Sequence, residues 1–316
     1  MTETVPTARK DSTARRVVKY GVALIAVGLL AVTIWSQRES FAESLRRLGW
    51  RDLVLAAAAA AAALAASGLS WRASMIAVAP HHKLPLRESA RVFFLSQIGK
   101  YVPGSVFPML MQIELTRRHG ISRTANAAGM LVAMLVGLVT SGLVGVGALT
   151  LVNREAVQTY WFVLIVLPIG VILLKPTILA RFVTLLAKLL RRDVRLDPPE
   201  ARHLLIAATW SLTSWLLFGL QAWIIAKDIA SGGDVTYLQA TGAFALAWLV
   251  GFLVVISPAG VGAREGVLVV AFSGSLTTAE GLAFAVVSRL VLTAVDGLAA
   301  LLGAALRPHH PAGDDA

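Results

Sequence analysis

Six stretches of this sequence run without an Asp, Glu, Lys or Arg: 20–37, 53–71, 124–153, 156–174, 203–226 and 235–263. A hydrocarbon core about 30 Å thick is crossed by a helix of roughly 20 mostly apolar residues, and these runs meet that length. They are continuous in Ala, Leu and Val rather than alternating every second residue, which predicts helices and not a barrel. A seventh candidate, 281–306, is apolar but carries Arg289 and Asp296. The whole chain is 57% hydrophobic with a mean hydropathy of +0.72, more apolar surface than a water-soluble fold can hide. The expectation is an all-α polytopic membrane protein with about seven or eight transmembrane helices and two Pro/Gly-broken re-entrant segments. Its domains would be a basic tail at 1–19, one transmembrane domain at 20–306 and a short polar tail at 307–316.

The formal charge of +11 could suggest nucleic acid, but the basic residues sit in short connections between apolar runs and form no basic domain. Connections that remain in the cytoplasm explain them better. Arg9, Lys10, Arg15, Arg16 and Lys19 precede the first run. Lys175, Arg181, Lys188, Arg191, Arg192, Arg195 and Arg202 crowd into 175–202. Both regions are therefore expected inside a multi-pass cell-membrane protein with a cytoplasmic N-terminus. The run at 20–37 is read as an uncleaved first helix, since it has the length of a span and lacks a small-x-small cleavage site. Residues 37–52 would place four arginines outside, so an interfacial amphipathic helix is expected there, with Phe41, Leu45 and Leu48 on one side. The chain has no cysteine, which excludes disulfides, thiolate catalysis and Cys-based metal sites.

Two apolar segments are broken. VFFLSQIGKYVPGSVFPMLMQI at 92–113 is interrupted at Pro103 and Gly104, and both of its flanks are basic. A pair of half-helices that enters and leaves on the cytoplasmic side meets both demands. SPAGVGAREG follows the run at 235–263, breaks it at Pro258, Gly260 and Gly262, and resumes in GVLVVAFSGSLTTA, which is too short to span. Re-entrant segments are thus expected at 92–113 and 257–279, one per half of the chain, which is the sequence pointer to a transporter's midplane site. Irregular backbone survives at membrane depth only inside protein or beside a wet cavity.

The candidate substrate-binding residues are the charged or polar groups near these breaks: Lys100, Tyr101, Arg264, Glu265, Arg289 and Asp296. An ammonium or guanidinium beside a broken helix can hold a phosphate, Arg264 bidentately, with Glu265 holding or releasing it. Each also has an ordinary reading. Lys100 could snorkel to the headgroups, Arg264 and Glu265 could form an interfacial ion pair capping a short helix, and Arg289 and Asp296 could serve a structural ion pair. Arg289 and Asp296 are seven residues apart, on one helical face, with Glu265 a plausible mate for Arg289. Glu114, Arg117 and Arg118 read as a solvated surface network. The His81-His82 and His309-His310 pairs lack metal spacing, so no metal, catalytic residue or cofactor is assigned. The Ala-rich run 56–66 and Gly137, Ser141, Gly142 and Gly145 read as close-packing helix faces.

IGKYVPGSVFPMLMQIELTRRHGIS at 98–122 and SPAGVGAREGVLV at 257–269 resemble the two signature regions of the lysylphosphatidylglycerol synthase transmembrane-domain family. The resemblance covers nearly the whole chain in span order. It implies movement of an anionic or aminoacylated lipid, or of a polyprenyl-phosphate-linked sugar, across the membrane. Relatives often carry an arginine near the position of Gln112 and a glutamate in the following helix, whereas 124–153 here is uncharged. Relatives that synthesise aminoacyl-lipids have a large soluble domain after the membrane part, and here RPHHPAGDDA follows instead, so an enzyme is not expected. The alternatives are a small-anion or ion-coupled transporter, with Glu265 or Asp296 carrying a proton, or an accessory subunit of a cell-envelope glycosyltransferase. Expected partners are membrane lipids, a glycosyltransferase and a second copy of the chain, and no nucleic acid.

Overall fold

The computed structural model describes residues 38–81, 84–101, 107–117, 119–152, 168, 170–189, 197–253 and 262–306. The tails at 1–19 and 307–316, the run at 20–37 and most of 156–174 lie outside them. The described chain is helical throughout. Helices α1 (Arg38–Arg47), α2 (Trp50–Val78) and α3 (Leu86–Gln97) are followed by a 3-10 turn at Ile98–Tyr101 and by α4 (Phe107–Arg117). Then come α5 (Arg123–Val152), α6 (Pro176–Leu189), α7 (Ala201–Ile229), α8 (Tyr237–Leu253), α9 (Ala263–Ala271) and α10 (Thr278–Ala305).

Among the described residues, four helices are long and apolar enough to cross a membrane: α2, α5, α7 and α10. The structure is that of an all-α polytopic membrane protein, as the uncharged runs require. Helices α2 and α7 outrun their apolar stretches at both ends, because chain ends of a span can continue into the interface with their own hydrogen bonds intact. At the start of α10 a local signal sets the boundary. Thr277 accepts from the Glu280 backbone N–H at 3.3 Å while Glu280 accepts from the Thr277 N–H at 2.9 Å, a reciprocal cap written in the sequence as T-x-x-E.

Side-chain pairs fix the direction of each long helix. Asp52 at the start of α2 meets Lys227 at the end of α7 (3.5 Å), and Ser70 further along α2 donates to the Ala207 carbonyl near the start of α7 (2.8 Å). These two helices are antiparallel. The alanines of α2, among them Ala56, Ala60 and Ala63, are fully buried and let α7 approach closely. Helix α5 runs parallel to α7: Thr140 meets Ser211, and Gly129 near its start packs on Met75, at the end of α2 that lies beside the start of α7. Its small-residue face receives α8: a Cβ on Gly145 would lie 2.7 Å from Leu246 Cγ. Helix α10 starts where α7 ends, since Glu280 accepts from the Ser231 N–H at 2.9 Å, and runs antiparallel to it through Gln221 and Ser288.

The bundle therefore has two ends, one marked by Asp52, Lys227 and Glu280 and the other by the starts of α3, α5 and α7. The amphipathic helix expected in 37–52 is present as α1, lying across the first end. Arg47 holds it there, donating to the Ile229 carbonyl and to Glu280, each at 3.3 Å. Its inward side differs from the expectation: Ser44 is buried and Leu45 is exposed, while the side chain of Phe41 lies outside the description. The anchor is thus a charged hydrogen-bonding residue, and Leu48, just past the helix, packs on the core. The expected span 235–263 also needs correction. Its helix ends at Leu253, and after 254–261, which lie outside the described residues, α9 begins at Ala263 and returns along α8.

Candidate functional site

Two helical hairpins enter the bundle from its opposite ends. In the first, Glu88 in the opening turn of α3 meets His119 just beyond α4 (3.6 Å), and Gln112 of α4 donates to Ser96 at the end of α3 (2.9 Å). Both open ends of the α3–α4 hairpin thus lie at the Glu88 end of the bundle. In the second, Gln239 in the first turn of α8 donates to the Ala271 carbonyl at the end of α9 (3.3 Å), so both its open ends lie at the Glu280 end. The hairpins point towards each other.

Their tips meet on α10. Lys100, in the 3-10 turn ending α3, lies 3.4 Å from each carboxylate oxygen of Asp296. Glu265 in the first turn of α9 takes a hydrogen bond from Arg289 at 2.9 Å. Arg264 stacks its guanidinium over the Phe244 ring, 4.8 Å from the centroid, which satisfies the cation on an aromatic face while leaving it within electrostatic reach of Lys100. At the 1.5 Å rise of a helix, Arg289 and Asp296 lie roughly 17 and 27 Å from the start of α10, so both pairs sit in its interior.

The local sequence explains the placement. Gly262 adopts φ 90°, a left-handed conformation that glycine alone enters without a Cβ penalty, and it turns the chain into α9. Its N–H donates to Glu265 Oε2 at 2.7 Å. Glu265 therefore performs two tasks with its two oxygens, capping α9 and binding Arg289, and its side chain is only 10% exposed. The sequence reading offered Glu265 both to Arg264 and to Arg289. In the structure adjacent residues on a helix point about 100° apart, so Glu265 turns to α10 and Arg264 to α8. The Arg289–Glu265 pairing was legible from the sequence; the approach of Lys100 to Asp296 was not, because 196 residues separate them. Tyr101 closes the 3-10 turn, and its side chain lies outside the description. The breaks expected at Pro103, Gly104, Pro258 and Gly260 also lie outside the described residues.

Sequence reasoning passed over a neutral network under the first hairpin. Gln112 is buried; it accepts from Trp71 Nε1 at 3.0 Å, and its own carbonyl and Thr116 receive the Asn126 amide. A glutamine and an asparagine inside otherwise apolar helices, Gln112 and Asn126, were its available signal. Nearby, Glu88 is almost wholly buried against His119 and, at 4.0 Å, Arg91. By contrast Glu114 and Arg117 form the exposed pair expected, at 3.8 Å with both side chains more than half exposed.

A family model describing the lysylphosphatidylglycerol synthase transmembrane region matches residues 18–300. The chain belongs to that family. No curated protein matches it. Membership of a lysylphosphatidylglycerol synthase transmembrane-region family makes this a membrane protein of a lipid-related family, and the matched region includes both hairpins and all of the charged residues above.

Proposed function

We propose that the protein is a lipid translocase that carries an anionic or polyprenyl-phosphate-linked lipid headgroup past the centre of the cytoplasmic membrane, without itself being an enzyme. The observation that carries this reading is that two opposed hairpin tips both reach the interior of α10, one through Lys100 at Asp296 and the other through Glu265 at Arg289, with Arg264 beside them. Charge at membrane depth costs at least about 2.5 to 3.5 kcal/mol per group, so cations retained there need polar company, and a passage for a phosphate supplies it. The hairpins are read as re-entrant segments, one from each side of the membrane. Arg87, Arg91, Arg117, Arg123 and Arg202 cluster at the Glu88 end, which charge bias assigns to the cytoplasm together with the end of α10. The N-terminus follows it there if 20–37 crosses. The first turn of α9 adds a positive helix-dipole end beside Arg264.

The test is purified protein in vesicles carrying labelled anionic phospholipid or prenyl-phosphate sugar, scored for exchange between leaflets. Wild type should exchange at least one of them, and Arg264→Lys, which keeps the charge but loses the bidentate fork, should be much slower, whereas Arg117→Lys should match wild type. Equal exchange by wild type and a correctly inserted Lys100→Gln, Arg264→Gln double variant would sink the site. A wild type that moves no lipid would sink the translocase and favour an accessory role beside a glycosyltransferase.

A further inference from the structure

Helix α6 (Pro176–Leu189) takes no part in the hairpin site. It has 14 residues, about 21 Å at the helical rise, and so cannot cross a hydrocarbon core about 30 Å thick. A turn separates it from the helical residues before it: the Lys175 N–H donates to the Ile172 carbonyl at 3.1 Å, and α6 then starts afresh at Pro176, which has no N–H to carry on the earlier ladder. Leu179, Ala180 and Val183 of α6 are buried. Leu179 and Val183 share a core cluster with Ala77 near the end of α2, Ala128 near the start of α5 and Leu204 near the start of α7. Helix α6 therefore packs on the Glu88 end of the bundle, the end that charge bias assigns to the cytoplasm.

The rest of its circumference is divided in two. At about 100° per residue, Leu179, Ala180 and Val183 share one side, Phe182 lies on a flank and Leu185 faces away from the bundle. Phe182 and Leu185 are 37% and 66% exposed. The next sector round holds Arg181 and Lys188, both exposed, and α6 has no acidic residue to pair with either. Placing α6 in water would leave the Phe182 and Leu185 flank bare, and placing it deep in hydrocarbon would strand two cations. Lying in the plane of the membrane, at the boundary between acyl chains and headgroups, suits both flanks at once. We infer that α6 is a membrane-surface helix that binds the acidic phospholipids of the cytoplasmic leaflet, with Phe182 and Leu185 among the acyl chains and Arg181 and Lys188 on the phosphates. Charge complementarity selects this occupant, since the long stems of Arg and Lys can follow the apolar flank while their heads reach an anionic surface. The inference goes beyond the translocase reading and stands without it.

The experiment uses the full chain carrying Leu185→Cys, labelled with a small environment-sensitive fluorophore; the natural sequence contributes no other cysteine. Leu185 is exposed, so the change leaves the packing of Leu179 and Val183 intact. Reconstitution in vesicles with the same lipids in both leaflets makes the result independent of which side α6 occupies. The label at 185 should be quenched by lipids spin-labelled on the acyl chain and protected from aqueous iodide. A label introduced by Thr177→Cys, on the exposed polar side, should show the reverse. At equal mole fraction, spin-labelled phosphatidylglycerol should quench the label at 185 more than spin-labelled phosphatidylcholine does, and added salt should shrink the difference, since exposed charges are screened. Arg181→Gln and Lys188→Gln should each lower that preference by up to about fivefold, the ratio equivalent to about 1 kcal/mol per basic residue at an acidic surface. The double variant should lose the preference, and the charge-conserving Arg181→Lys, Lys188→Arg pair should keep it. A label at 185 that iodide reaches overturns the in-plane placement, and one shielded from both quenchers overturns it in favour of a protein partner or a second copy. An undiminished preference in the double variant overturns the assignment of acidic lipid to Arg181 and Lys188.

Discussion

Glu265 offers a double-mutant cycle whose size can be worked from geometry. Replacing it with alanine removes the acceptor of the Gly262 N–H and the partner of Arg289 at once. A hydrogen bond to a charged acceptor is worth about 1.5 to 3 kcal/mol, so the lost cap should cost about 2 kcal/mol. The Arg289 side chain is 40% exposed, which lets water take over part of its solvation and limits the lost pair to about 1 kcal/mol. Glu265→Ala should therefore destabilise the fold by about 3 kcal/mol. Glu265→Gln keeps an oxygen for the cap and loses only the charge, so about 1 kcal/mol is expected. Arg289→Met should cost a similar amount alone, and the Glu265→Ala, Arg289→Met double variant should fall short of the sum by about 1 kcal/mol, the coupling of residues in direct contact. The assay is equilibrium unfolding in mixed micelles followed by the signal of the buried tryptophans. A coupling indistinguishable from zero, or a glutamine variant as damaged as the alanine one, would refute the assignment of two separate tasks to the two carboxylate oxygens.

Gln112→Leu leaves the buried Trp71 Nε1–H without its acceptor, while the Ser96 hydroxyl keeps its bond to the Phe93 carbonyl, and should cost about 1 to 3 kcal/mol by the same unfolding measurement. A neutral outcome would mean that the network is not closed in the membrane. Gly145→Ala places a methyl 2.7 Å from Leu246 Cγ and 3.2 Å from its backbone nitrogen, so α8 must shift, at about 1 to 3 kcal/mol; Gly147→Ala, with nothing near its Cβ position, should be silent. Since the chain has no cysteine, single-Cys variants report topology cleanly: position 232 should label from outside and positions 200 and 306 from inside, and external labelling at 306 would overturn the direction assigned to α10.

Composition and the uncharged runs were enough to establish the class of this protein, because a bilayer admits few solutions: a long apolar run must satisfy its own backbone, and only a helix does so within one segment. The four long helices fall where 53–71, 124–153, 203–226 and 281–306 said, and Gly262, the one break among the described residues, stands immediately before α9. The small-residue faces were equally legible, since Gly145 and the alanines of α2 have no use on a helix except close approach. What local pattern could not carry was the path of the chain after a break. A run such as 235–263 reads the same whether it crosses or folds back, because hydropathy is blind to direction, and only the pairing of Gln239 with the Ala271 carbonyl shows that α9 returns along α8. Partner choice was hidden for a related reason. Adjacent in sequence, Arg264 and Glu265 invite a local pair, yet helical geometry turns one to Phe244 and the other to Arg289, while Lys100 and Asp296 meet across most of the chain. Periodicity along a helix is a one-dimensional property that the residues themselves encode. Which charges share a site depends on how hairpins from opposite ends stack against α10, and that is set by packing.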